Sequence, residues 1–189
     1  MRFGRKDTGK KRFGIYLTII IVLLMVGGTV GYVFRGSDGD TSLKYNGYDF
    51  IKTGENKIVL VYNDQNLGFD YHPKDLENLP FEAFELDSSK VYTAYDPKDR
   101  DQNLDYSMMK IFNFMNFLSI KPVLSCYNEI DCPDIPIVNC DESFPVIQFR
   151  KDDVNKVYTD DKCIILSGDA IGLSKSSDRF IYFLLGVMD

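Results

Sequence analysis

From Gly14 to Phe34 the chain runs through 21 positions (GIYLTIIIVLLMVGGTVGYVF) without a charged side chain. At about 1.5 Å per residue, a helix of that length spans about 30 Å, the thickness of the hydrocarbon layer of a bilayer. Such a helix closes its own backbone hydrogen bonds, so its many β-branched residues are no obstacle. Tyr16 and Tyr32 stand near the two ends, where amphipathic rings favour the membrane interface. The pattern therefore predicts one transmembrane helix over 14–34. The apolar run exceeds the roughly 7–15 residues of a cleaved signal core, which favours an uncleaved signal anchor over a leader cut near Thr29-Val30-Gly31. Gly27 and Gly31 form a G-x-x-x-G pair, a spacing found where two spans pack and also in solitary ones. Gly36-Ser37-Asp38-Gly39-Asp40 breaks the helix, and 35–44 reads as a linker.

Beyond the linker the period of the pattern changes. Short runs rich in Val, Ile and Tyr predict strands at Lys57–Tyr62, Lys90–Tyr95, Pro122–Cys126, Pro145–Phe149 and Lys162–Leu166, with Asn155–Tyr158 available for a hairpin. Leu104, Met108, Ile111, Met115 and Leu118 recur at helical spacing and predict a helix over 104–118. Phe112, Phe114 and Phe117 make its other sides apolar, as expected of a helix packed between layers. A second helix is expected after Ser176-Ser177-Asp178, carrying Phe180, Ile181, Phe183, Leu184 and Val187. Strands alternating with helices imply an α/β (or α+β) fold over 45–189, with a mixed sheet and two main helices.

Charge gives the arrangement a direction. Residues 1–35 hold 7 basic and 1 acidic side chains, net +6, whereas 36–189 hold 15 basic and 27 acidic ones, net -12. Lys and Arg gather on the cytoplasmic side of a span, so the basic tail 1–13 is placed inside and 45–189 outside. The acidic balance argues against a nucleic-acid partner. No stripe of aromatics alternates with basic residues, as a platform for single strands requires.

All four cysteines, Cys126, Cys132, Cys140 and Cys163, fall in the part placed outside. An even number there points to two disulfides. Three pairings are possible, and strand positions favour Cys126–Cys163 with Cys132–Cys140. The C-x5-C spacing lacks the close pair typical of thiol exchange, and C-x5-C-x7-C-x22-C fits a zinc site poorly.

The chemical motifs in the chain are near-misses. No dinucleotide fingerprint, phosphate loop or nucleophile elbow is present. His72, the single histidine, lies between Tyr71 and Pro73 and reads as a strand end or turn rather than a catalytic base. Asp99, Asp101, Asn103, Asp105 and Ser107 match calcium-loop spacing, but Leu104 replaces the turn glycine and Lys110 the bidentate Glu. An acidic helix start accounts for the same residues. The pairs Glu82/Glu85, Asp152/Asp153 and Asp160/Asp161 read as surface charge. No catalytic, cofactor-binding or metal residue is assigned, and no cofactor is expected.

The anchor, Tyr45-Asn46-Gly47, Phe69-Asp70-Tyr71-His72-Pro73, Cys132-Pro-Asp-Ile-Pro-Ile-Val-Asn-Cys140 and Asp178-Arg179-Phe180-Ile181-Tyr182-Phe183-Leu184-Leu185-Gly186 carry one resemblance. Together they make the chain similar to uncharacterised archaeal single-pass membrane proteins that display an outer α/β domain. That likeness implies a location and no activity. The expected role is binding or assembly at the outer membrane face, through the bilayer at Gly14–Phe34 and a protein partner. The alternatives are an extracytoplasmic hydrolase or redox enzyme, and a pilin-like subunit processed after Gly14.

Overall fold

A computed structural model describes residues 41–53, 57–141 and 143–189. The predicted anchor 14–34 and basic tail 1–13 lie outside the described residues. Among the described ones no helix is long and apolar enough to cross a membrane.

Four strands form an antiparallel meander in chain order: β1 (Thr41–Tyr45), β2 (Tyr48–Lys52), β3 (Ile58–Tyr62) and β4 (Gln65–Phe69). β1 takes up Thr41–Lys44, which composition assigns to the linker. It pairs with β2 from Thr41↔Lys52 to Tyr45↔Tyr48. Asn46-Gly47 and Asn63-Asp64 turn the chain at positive φ, the backbone that two-residue hairpins require. Alternation puts Phe50, Ile58, Leu60 and Phe69 in the core and leaves the other face of the meander outward.

The second sheet has the order β6-β5-β7-β9-β8, with β5 (Lys90–Tyr95), β6 (Lys121–Cys126), β7 (Val146–Lys151), β8 (Lys156–Asp160) and β9 (Cys163–Gly168). All pairings are parallel except β8 with β9. The mixed sheet and two helices are those the alternating pattern implies; the meander is an addition to them. The central strands are apolar on both sides, as buried parallel strands must be. Val91, Tyr95, Ile147, Phe149, Ile164 and Leu166 face the helices, while Ala94, Val146, Cys163 and Ile165 face away.

Helix α1 (Gln102–Phe117) begins at Asp101, whose carboxylate accepts from the Asn103 and Leu104 amides. Helix α2 spans Ala170–Leu184 and is capped in the same way by Asp169. It starts well before the expected Ser176-Ser177-Asp178, and those three residues are buried in its middle. The apolar residues of the meander and of the second sheet meet the helices in one core. Phe69 stacks on Tyr182 at 4.2 Å and Phe84 on Phe180 at 5.1 Å between ring centres.

Among the described residues no helix covers the far face of the second sheet. Residues 127–145 do so instead, through Val138, Tyr127 and Cys140. Two bridges hold this segment, Cys126–Cys132 at its start and Cys140–Cys163 at its end. Two disulfides are thus present with a connectivity other than the favoured one. Cys126 on β6 and Cys163 on β9 are separated by β5 and β7, which at about 4.8 Å per strand spacing is too far for one bridge.

Candidate functional site

Three residues of α2, Ser174, Asp178 and Tyr182, recur every four positions and so lie along one face of the helix. All three grip the two residues that lead out of β4. The Ser174 hydroxyl donates to Asp70 Oδ2 at 2.6 Å. Asp178 Oδ2 accepts from the backbone amides of Asp70 and Tyr71, each at 3.0 Å. The Tyr182 hydroxyl donates to the Tyr71 carbonyl at 2.8 Å. From the facing side α1 sends Lys110, whose ammonium donates to Asp70 Oδ2 at 2.9 Å and to Ser174 Oγ at 3.1 Å. It also pairs with Asp178 Oδ1. Tyr106, one turn earlier, donates to Asp70 Oδ1 at 3.0 Å.

One ammonium therefore sits between two carboxylates that differ in their surroundings. The Asp178 side chain is 0% exposed. Burial pushes its carboxyl up to about 6, against the opposing pull of Lys110. Burial also works to raise Asp70, but the Ser174 hydroxyl, Lys110 and Tyr106 outweigh it and hold that carboxyl below its ordinary range. Tyr106 is raised to about 12, first by burial and then by the Asp70 carboxylate. Burial raises Tyr182 as well. As a unit the cluster is a clamp in which two carboxylates share one ammonium.

His72 follows the gripped residues. It caps the 3-10 turn Pro73–Leu76, its Nδ1 accepting from the Lys74 amide at 3.3 Å. That contact assigns the proton to Nε2, which is buried without a partner. Phe50 and Tyr45 pack edge-on against the ring, 5.0 and 6.0 Å away between ring centres. Burial lowers its pKa, so the imidazole is held neutral. The turn reading of His72 matches its place, and among the described residues no nucleophile is hydrogen-bonded to it.

Beside the clamp runs a groove of about 250 Å³ between β4 and α1. Leu67, Phe69, Phe114, Phe117 and Ile181 make it apolar, and Lys110 and Asn113 stand on its helical wall. A larger cleft of about 670 Å³ opens at the amino ends of β7 and β9, against Phe84, Phe144, Asp87 and three serines. Neither is lined by Asp178 or His72.

The other sequence candidates are dispersed. Asp101 is spent on the α1 cap and on Lys151 at 2.7 Å, and Asp105 on Arg100 at 3.0 Å. Ser107 is buried in the helix, so the calcium-like spacing does not gather its oxygens. Among the described residues no group of three or more His, Cys, Asp or Glu is placed to hold a metal ion. Glu82 accepts from the Thr159 amide at 2.9 Å and Asp152 from the Val154 amide at 3.3 Å, both as loop braces. Cys126, Cys132, Cys140 and Cys163 are all bridged. The clamp itself was not anticipated from sequence. The available signal was the i, i+4, i+8 series Ser174-Asp178-Tyr182, which puts three hydrogen-bonding side chains on one face of a helix.

No protein-family model, curated protein or solved structure matches the chain.

Proposed function

We propose that the chain is a single-pass membrane protein that displays its α/β domain outside the cell and serves there as a binding or assembly module. The observation that carries the reading is the pairing of the cysteines. All those among the described residues are consumed in two bridges. Disulfides persist in oxidising compartments. This agrees with an apolar segment at 14–34 preceded by basic residues and followed by a strongly acidic remainder.

The enzyme alternative would draw on Asp178, a buried carboxyl with a raised pKa. Its oxygens are taken by Lys110 and two backbone amides, and it opens on neither cleft described above. A clamp of that kind organises a surface rather than receiving a substrate. The pilin-like alternative predicts a mature chain beginning after Gly14, which N-terminal sequencing of the membrane-extracted protein decides.

Cross-linking on intact cells tests the role. The full-length chain should be recovered from membranes joined to a defined protein partner. Recovery of the uncross-linked chain alone, at every cross-linker length, contradicts the binding role.

A further inference from the structure

We infer that the outward face of the meander lies against the surface of the bilayer that holds the proposed anchor. The inference deepens the binding role and rests on the reading of 14–34 as a span. Six residues, 35–40, separate that segment from β1. Even fully extended they reach about 25 Å at most, so β1 begins within that distance of the end of the span. A tether that short keeps the domain at a high effective concentration beside the lipid, where a weak contact is enough to hold one face down.

The outward face is apolar where a soluble sheet would be polar. Phe50 and Leu60 pair across β2 and β3 and are wholly buried, so alternation sends Ile51, Val59 and Val61 to the other side. None of the three belongs to a hydrophobic cluster, and Val61 is 40% exposed. Ile51 pairs with Ser42 and Val59 with Gly68, and nothing stands within 4 Å of where a Gly68 Cβ would be. Small neighbours thus leave the branched side chains bare. Lys44, 77% exposed and paired with Asp49 at 3.2 Å, stands on the same face. Lys52 and Lys57 are exposed beside it. Lysine stems lie along apolar surface while the ammonium reaches the phosphate level.

Charge selects this face over the others. Residues 41–69 hold 3 basic and 3 acidic side chains, net 0, whereas 70–189 hold 12 basic and 22 acidic ones, net -10. The meander is therefore the part of the domain that can approach lipid phosphates without repulsion. Other exposed apolar side chains lack that freedom. Ile130 and Ile137, 52% and 51% exposed, sit in segment 127–145, which has five acidic and no basic residues. With the meander turned to the bilayer, that acidic segment is left free for a protein partner.

Photo-cross-linking of the full-length chain to lipid tests the proposal. The chain is placed in nanodiscs of phosphatidylcholine and phosphatidylglycerol, doped with a phosphatidylcholine that carries a diazirine in its headgroup. Lipid adducts are then mapped by mass spectrometry. Beyond residue 40 they should gather at Ile51, Val59 and Val61, about tenfold above segment 127–145. Val61→Glu should remove most of that excess without lowering the melting temperature. Asp49→Lys adds positive charge to the same face and should raise the yield, but only when phosphatidylglycerol is present. Adducts spread evenly over the domain, gathered on 127–145, or indifferent to both variants overturn the proposal. Meander adducts that vanish as each disc is loaded with more chains assign the face to a second copy, and overturn it too. If the chain stays in the discs but its adducts stop at residue 40, the proposal falls while the anchor stands. If the chain is recovered free of the discs, the anchor falls and the proposal with it.

Discussion

Asp178 shows how a single buried charge ties distant parts of a chain together. Its carboxylate holds the backbone of residues 70–71 and the ammonium of Lys110 at once. Asp178→Ala strands that ammonium against Asp70 alone and leaves two amides without an acceptor, which should cost about 3–5 kcal/mol in a denaturant titration. Asp178→Asn keeps an acceptor and should cost less. The titration of the clamp has a definite sign. A carboxyl whose folded pKa is raised, from 3.8 to about 6, stabilises the fold below pH 3.8, and that contribution is lost as pH climbs through 6. His72 works in the opposite sense. Its pKa is lowered from 6.5, so its contribution is full above 6.5 and is lost as pH falls below that value. Between pH 4 and 6.5 the two oppose each other. Stability of the Asp178→Asn variant should therefore rise more steeply with pH across this window than that of wild type. The His72→Asn variant, which retains a capping oxygen, should tilt the other way. Parallel slopes for all three chains, measured as denaturant midpoints against pH, would remove both groups from the balance.

At the scale of elements, the helices rest on their caps and the sheet on its bridges. Asp169→Ala removes the acceptor for the Ile171 and Gly172 amides and should cost about 1 kcal/mol by thermal or chemical unfolding. Replacing Cys140 and Cys163 together by serine opens the staple between residues 127–145 and β9. The expected loss is about 2–4 kcal/mol, with protease cuts appearing first within 127–145. Cuts appearing first in the meander would contradict the covering role given to that segment. These elements differ in how plainly the sequence announces them. β3, β5 and β9 are dense in β-branched and aromatic residues and stand out by composition alone. β1 and β4 carry Thr, Ser, Asn, Gln and Gly, because one face of the meander is outward and pairing rather than burial defines them. The first half of α2 scatters Ile171 and Leu173 among Gly, Ser and Lys, so the apolar run beginning at Phe180 marks only its later half. The disulfide connectivity depends on strand order, and the clamp joins residues 70, 110 and 178, so both exist only once the fold has closed. Local pattern reports periodicity; it does not report which distant faces meet.

In the molecule as a whole, the proposed anchor at 14–34 precedes a cross-linked unit that begins at Thr41. The separation of charge, +6 over residues 1–35 and -12 beyond them, gives a span a preferred direction. The most direct measurement is protease digestion of intact cells expressing the full-length chain, read by antibodies against each end. If the domain is displayed outside on a retained anchor, residues 41–189 are degraded while the basic tail and the 14–34 segment survive as a small membrane-bound fragment. A domain that stays whole until the cells are broken open would contradict the account.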